Sequence, residues 1–188
     1  MAKLPLRVLV LGAVSTLTLV ASVLAPQALA QQPVRIGAIY IMSGAAAAYG
    51  QFARQGLELA ADEINKSGGI LGRQVVFTME DSQGKTDVAI QAARKLVFQG
   101  RADALIGLDS SGVANGLVPT VPELRKPLII THAATPDATG KLCNAYTFRV
   151  SVNVNQNMMA AAKVAADTGK TRWTTIGPDY AFGHQSWE

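Results

Sequence analysis

From residue 34 onward the chain alternates short apolar runs rich in β-branched residues with longer amphipathic stretches, and this alternation restricts its fold more than any other feature. Val34 to Ile41 reads as a buried strand. Gln51 to Lys66 places Leu57, Ala60, Ala61 and Ile64 on one helical face, and Gly68-Gly69 ends that helix. Gln74 to Glu80 is a second strand. Thr86 is placed to cap a helix running to about Gln99, with Ala89, Ala92, Ala93 and Leu96 inward and Gly100 closing it. Ala102 to Leu108 is a third strand. Ser110 to Lys126 is expected to be mostly helical, with Pro119 and Pro122 as interruptions. Leu128 to Thr131 and Tyr146 to Val150 are strands four and five, separated by a turn at Pro136 to Gly140. An Ala-rich helix follows over Asn153 to Thr168, with Met158, Met159, Ala162, Val164 and Ala165 available for packing. Arg172 to Ile176 reads as one more strand, and Asp179 to Glu188 as a loop and the first turn of a helix. Strands alternating with helices imply an α/β fold, a doubly wound parallel sheet covered on both faces. Ligands of such sheets bind at the carboxyl ends of the strands.

The segment before the first strand has a different character. Lys3 and Arg7 make a basic start, no charged residue occurs from Val8 to Val34, and Ala28-Leu29-Ala30 follows Pro26 as a small-x-small site. The expectation is a signal peptide over residues 1–30, cleaved after Ala30, and a periplasmic protein. An uncleaved anchor is the alternative, but the apolar stretch Val8 to Val23 falls short of the ~20 residues that a spanning helix needs. Losing Lys3 and Arg7 lowers the formal net charge from +4 to +2, too mild a balance to imply nucleic acid. Cys143 is the single cysteine, either a free, small buried hydrophobe or one half of a disulfide. His132 and His184 have no companion at metal-ligand spacing, so neither a metal nor another cofactor is expected.

The strand ends carry similar chemistry. Ser43 to Gly50 follows strand one, Asp109-Ser110-Ser111-Gly112 follows strand three, and His132-Ala133-Ala134-Thr135 follows strand four. Small hydroxyl residues and backbone N–H groups converging on one sheet edge suit a carboxylate or another small anion. Ser111 and Thr135 offer hydroxyls, and Tyr49 offers a ring to an apolar or cationic group. Taken singly, Ser111 also reads as a helix cap, Thr135 as a turn residue and Tyr49 as packing. No G-x-G-x-x-G, G-x-x-x-x-G-K-[ST] or G-x-S-x-G occurs, and Asp109 and Asp179 read as isolated, solvated or capping acids, so no enzyme is expected.

The runs IGAIYIMSGAAAAYGQFARQGLELAADEINKSGGILGRQVVF, DSQGKTDVAIQAARKLV, ALIGLDSSGVA, PLIITHAATPDATG, YTFRV and GPDYAFG resemble the leucine/isoleucine/valine-binding family of type I periplasmic receptors. The resemblance covers Val34 to Glu188. It implies a first α/β lobe over residues 31–152 and a second lobe only begun over 153–188. It implies a small-molecule ligand clamped between lobes and delivered to a membrane ABC permease, with a branched-chain or other apolar amino acid as the modal ligand. Ser111 then matches a serine that receives the ligand carboxylate, Ala133 a backbone contact, Thr135 a threonine contact and Tyr49 the first-loop aromatic. Phe182 matches a second-lobe aromatic position that is often Tyr. The family's acid for an α-ammonium group has no counterpart in this sequence. A half clamp is expected to bind weakly, because closure normally buries most of a ligand. Residues 153–188 are expected to dock loosely on the first lobe. A receptor of the same fold that signals instead of feeding a permease, and an incomplete chain without binding activity of its own, are the alternatives.

Overall fold

The computed structural model describes residues 31–187, so the signal peptide expected over residues 1–30 and its expected cleavage site lie outside the described residues. Five parallel strands, β1 (Val34–Tyr40), β2 (Val75–Asp81), β3 (Ala104–Gly107), β4 (Leu128–Ile130) and β5 (Thr147–Arg149), form one sheet in the order β2-β1-β3-β4-β5. Strand order therefore reverses direction between β1 and β3, which opens a crevice at their carboxyl ends. Register places Ile36 opposite both Phe77 and Ala104, and Leu128 opposite both Leu105 and Thr147.

Helices cover both faces. Helix α1 (Ala47–Lys66) lays the half-buried Leu57, Ala60, Ala61 and Ile64 over the β1–β2 side, as their spacing predicts. It begins four residues earlier than expected and ends where Gly68 and Gly69 take positive φ, with the Gly69 N–H donating to the Ile64 carbonyl. On the opposite face Ile39, Leu105, Leu128 and Ile130 form one core with α2 (Thr86–Arg94) and α3 (Ser111–Leu117). Ala89, Ala92 and Ala93 are small enough to bring α2 close to the sheet.

Some expectations need correction, whereas the proline breaks fall where expected. Thr86 is not the α2 cap. Lys85 holds that position, and the Thr86 hydroxyl instead donates to the Gly112 carbonyl at 3.4 Å while its methyl packs over Gly116 of α3. The α-helix itself stops at Arg94 and widens to a π turn over Lys95–Gln99. The stretch Ser110 to Lys126 breaks at its prolines into α3, a 3₁₀ turn (Val118–Thr120) and α4 (Val121–Leu124), which ends in a left-handed Arg125.

A further correction concerns Arg172 to Ile176, which forms no strand. No neighbouring strand offers it a ladder, and all five residues are exposed. Helix α5 (Val154–Asp167) has a capping box between Asn153 and Gln156, yet it buries only Val154 fully and leaves Met159 and Val164 exposed. The short α6 (Ala181–His184) then folds back, tied by the Gln185 side-chain amide to Asp137 at 3.0 Å. Limited proteolysis is accordingly expected to cut first between Gly169 and Pro178, where side chains are exposed and no secondary structure protects the backbone. Mass analysis of the first fragments checks this; first cleavage inside β1–β5 or their helices would contradict it.

Candidate functional site

The carboxyl ends of the strands open into a cleft of about 530 Å³ at the switch point between β1 and β3. A second groove of about 410 Å³ runs between α1 and β2, far from those strand ends and walled mainly by Leu57, Ala61, Val75, Phe77 and Met79.

Two carboxylates brace the loop after β1, and one of them, Asp109, borders the cleft. As the chain leaves β1, the Ile41 N–H donates to Asp109 at 2.8 Å and the Met42 N–H donates to Asp81 at 2.9 Å. Asp81 ends β2 and Asp109 lies two residues past the end of β3, so the loop is braced from both neighbours of β1. Gly50 completes the turn: its N–H reaches the Ile41 carbonyl at 3.1 Å, and a Cβ there would sit 2.4 Å from that oxygen. Burial pushes the Asp81 carboxyl up, but hydrogen bonds from Ser43, Met42 and Gln83 outweigh it and hold the group below the usual range. Asp109 ends on the other side. Burial raises its pKa beyond what the Ile41 N–H and nearby His132 lower.

A raised folded pKa means that the native state holds the proton more tightly, so Asp109 costs stability as pH rises from the ordinary value of 3.8 through its folded value. Asp109→Asn keeps an acceptor for Ile41 and removes that loss. Melting curves from acid to neutral pH are expected to show wild type losing stability relative to the variant across this window; parallel curves would contradict the assignment.

Aromatic rings form the opposite wall. Tyr49, half exposed on the first turn of α1, meets His132 with ring centroids 4.9 Å apart at 60°. Tyr180 and Phe182, carried back by α6, stand 6.1 Å apart. Burial, then the proximity of Tyr49 and Asp109, raises the Tyr180 hydroxyl pKa.

Of the five residues singled out from the sequence, Tyr49, Ser111 and Phe182 border the cleft. Ser111 is 2% exposed at the start of α3, while Ser110 is the residue that caps the helix, accepting from the Val113 N–H at 3.4 Å. Ala133 and Thr135 lie just beneath the surface and flank Ala134, which does border the cleft. Their polar groups are engaged within the protein. The Ala133 N–H donates to Leu108 at 2.7 Å, and its carbonyl accepts from Arg149 at 2.7 Å. The Thr135 hydroxyl donates to Asn115 at 2.7 Å, and its carbonyl accepts from Arg149. Sequence reasoning missed Ser151, Asn157 and Tyr180 as lining residues and underrated Asp109 and His132. The rule of reading strand ends would have found Ser151, had it been applied after β5. Tyr180 had no such signal. Cys143 is exposed, and among the described residues no cluster of His, Cys or acids could hold a metal.

A family model described as periplasmic binding protein matches residues 33–188. The Leu/Ile/Val-binding protein BraC3 of Rhizobium johnstonii is 40% identical over 165 residues, covering 87% of this chain and 44% of the relative. A solute-binding protein of an ABC transporter from R. palustris, solved in complex with 4-hydroxybenzoate, is similar with a TM-score of 0.74 and 26% identity, over 82% of this chain and 41% of the other. The branched-chain amino acid transporter substrate-binding protein LivJ of Streptococcus pneumoniae, solved with isoleucine, is similar with a TM-score of 0.60 and 31% identity, over 65% and 35%. The chain thus spans less than half the length of these relatives.

Proposed function

The chain belongs to the periplasmic binding protein family, and from that premise we propose that it is the substrate-binding component of an ABC transporter for a small carboxylate-bearing solute, a branched-chain or other apolar amino acid. The observation that carries this reading is the pairing of the two cleft walls. Ser110, Ser111, Ala134 and Ser151 line it with hydroxyl and backbone groups suited to a carboxylate, while Tyr49 and Phe182 face an apolar side chain. A binding rather than catalytic role is part of the proposal, since the one carboxylate in the cleft, Asp109, is held by a backbone N–H. Export is part of it too: N-terminal sequencing of the periplasmic protein is expected to start at Gln31.

The aromatic wall supports a second reading. Tyr49, His132, Tyr180 and Phe182 bring four rings to one cleft, which favours an aromatic carboxylate such as the 4-hydroxybenzoate held by the R. palustris neighbour. Calorimetric titration of the processed chain with leucine, isoleucine, valine and 4-hydroxybenzoate tests both. Saturable binding of an aliphatic amino acid supports the first, and of the benzoate alone the second. Binding of none of the four would overturn the carboxylate assignment.

A further inference from the structure

Arg149 ends β5 and turns its guanidinium under the β4 loop. It is partly buried and makes two backbone contacts: Nη1 donates to the Ala133 carbonyl at 2.7 Å and Nη2 donates to the Thr135 carbonyl. No carboxylate lies within ion-pair distance of it among the described residues. The carbonyl between, that of Ala134, accepts from the Val154 N–H at 2.8 Å. Three successive carbonyls are therefore held by hydrogen bonds, two of them by Arg149.

A trans peptide directs its C=O and N–H to opposite sides. With the Ala133 carbonyl fixed on Arg149, the Ala134 N–H points away from the guanidinium, and Ala134, with His132, is one of the two loop residues that border the cleft. Among the described residues no carboxylate pairs with the charge behind it, Asp109 bordering the cleft without reaching it, and partial burial keeps it poorly screened. Burial depresses the Arg149 pKa, yet an arginine keeps its proton at neutral pH.

We propose that Arg149 is the positioning residue of the β4 loop and the source of the positive potential by which the cleft selects a ligand carboxylate over the corresponding amide. The proposal rests on the carboxylate reading of the cleft. Both roles need arginine: a fork to hold two carbonyls at once, and a permanent charge.

The test compares affinities for a carboxylate and its amide, leucine against leucinamide and 4-hydroxybenzoate against 4-hydroxybenzamide, in wild type, Arg149→Met and Arg149→Lys. Wild type is expected to prefer the carboxylate. Arg149→Met should reduce that preference by roughly tenfold, as expected of one poorly screened charge near the ligand. Arg149→Lys, with the charge but not the fork, should weaken both members of a pair while keeping most of the preference. A merely structural role would weaken carboxylate and amide equally in both variants, and that result would overturn the proposal. Should Arg149→Met fail to fold by circular dichroism, a Lys variant that loses the preference overturns it as well, and one that keeps it supports it. Failure of wild type to bind either carboxylate strikes the functional reading itself, and the inference falls with it.

Discussion

Gly107→Ala is expected to lower stability by about 3 kcal/mol and the melting temperature by roughly 6–12 °C. Gly107 ends β3 directly beneath the cleft, with φ at 131°, a conformation that L side chains rarely adopt. An added Cβ would stand 2.3 Å from the Ile39 carbonyl oxygen and 3.1 Å from that residue's carbonyl carbon and nitrogen. None of these atoms can yield, because the Ile39 carbonyl already accepts from the Leu108 N–H at 2.9 Å inside the central strand pair. On the far side, the Gly107 carbonyl accepts from both the N–H and the hydroxyl of Thr131, so the residue cannot rotate without loosening β4. Gly44→Ala provides the control. It too has a positive φ, 71°, but nothing lies within 4 Å of its missing Cβ. It should show backbone strain alone, about 1 kcal/mol. Similar melting temperatures for the two variants would refute the steric argument.

Tyr49→Ala is expected to weaken ligand binding by roughly tenfold with little change in melting temperature. Its ring is 50% exposed and packs chiefly on His132, so its loss leaves the core untouched while stripping one wall of the cleft. Phe52, three residues further along α1, is more exposed, at 71%, and is absent from the cleft wall. Phe52→Ala should therefore leave affinity unchanged. Equal losses in the two variants, measured by titration with the ligand that wild type binds, would mean that the ring's place in the cleft is irrelevant to function.

The strands of the sheet were legible because buried parallel strands need continuous β-branched apolar runs, and VRIGAIY or LII offers little else. Arg172 to Ile176 has similar composition and is no strand. Strand propensity expresses the fit to neighbours, and this segment has none. The prolines at 119 and 122 announced breaks whose form, a 3₁₀ turn and then a short α-helix, depends on how the chain repacks Val118 and Val121 into the core. The cleft was legible in location but not in detail. Strand ends and strand order place it, whereas side-chain direction decides what it contains. The loop His132 to Thr135 illustrates this, since Arg149, distant in sequence, draws the Ala133 and Thr135 carbonyls inward and leaves His132 and Ala134 to the cleft.

The interior place of β1 makes the few residues before it costly to remove. The Val34 N–H donates to the Gln74 carbonyl at 2.8 Å, and Arg73 grips the carbonyls just before it, with Nε on Gln32 at 2.6 Å and Nη2 on Pro33 at 3.1 Å. Arg73 also reaches Asp103 at 3.6 Å, at the foot of β3. A processing enzyme that cut after Ala30 would spare every one of these contacts by a margin of one residue. One that cut two residues later would remove the Gln32 acceptor, and one residue further the Pro33 acceptor as well, leaving an interior strand of the sheet to begin without that anchor. For anyone trimming or tagging this chain, the amino-terminal side tolerates additions far better than deletions.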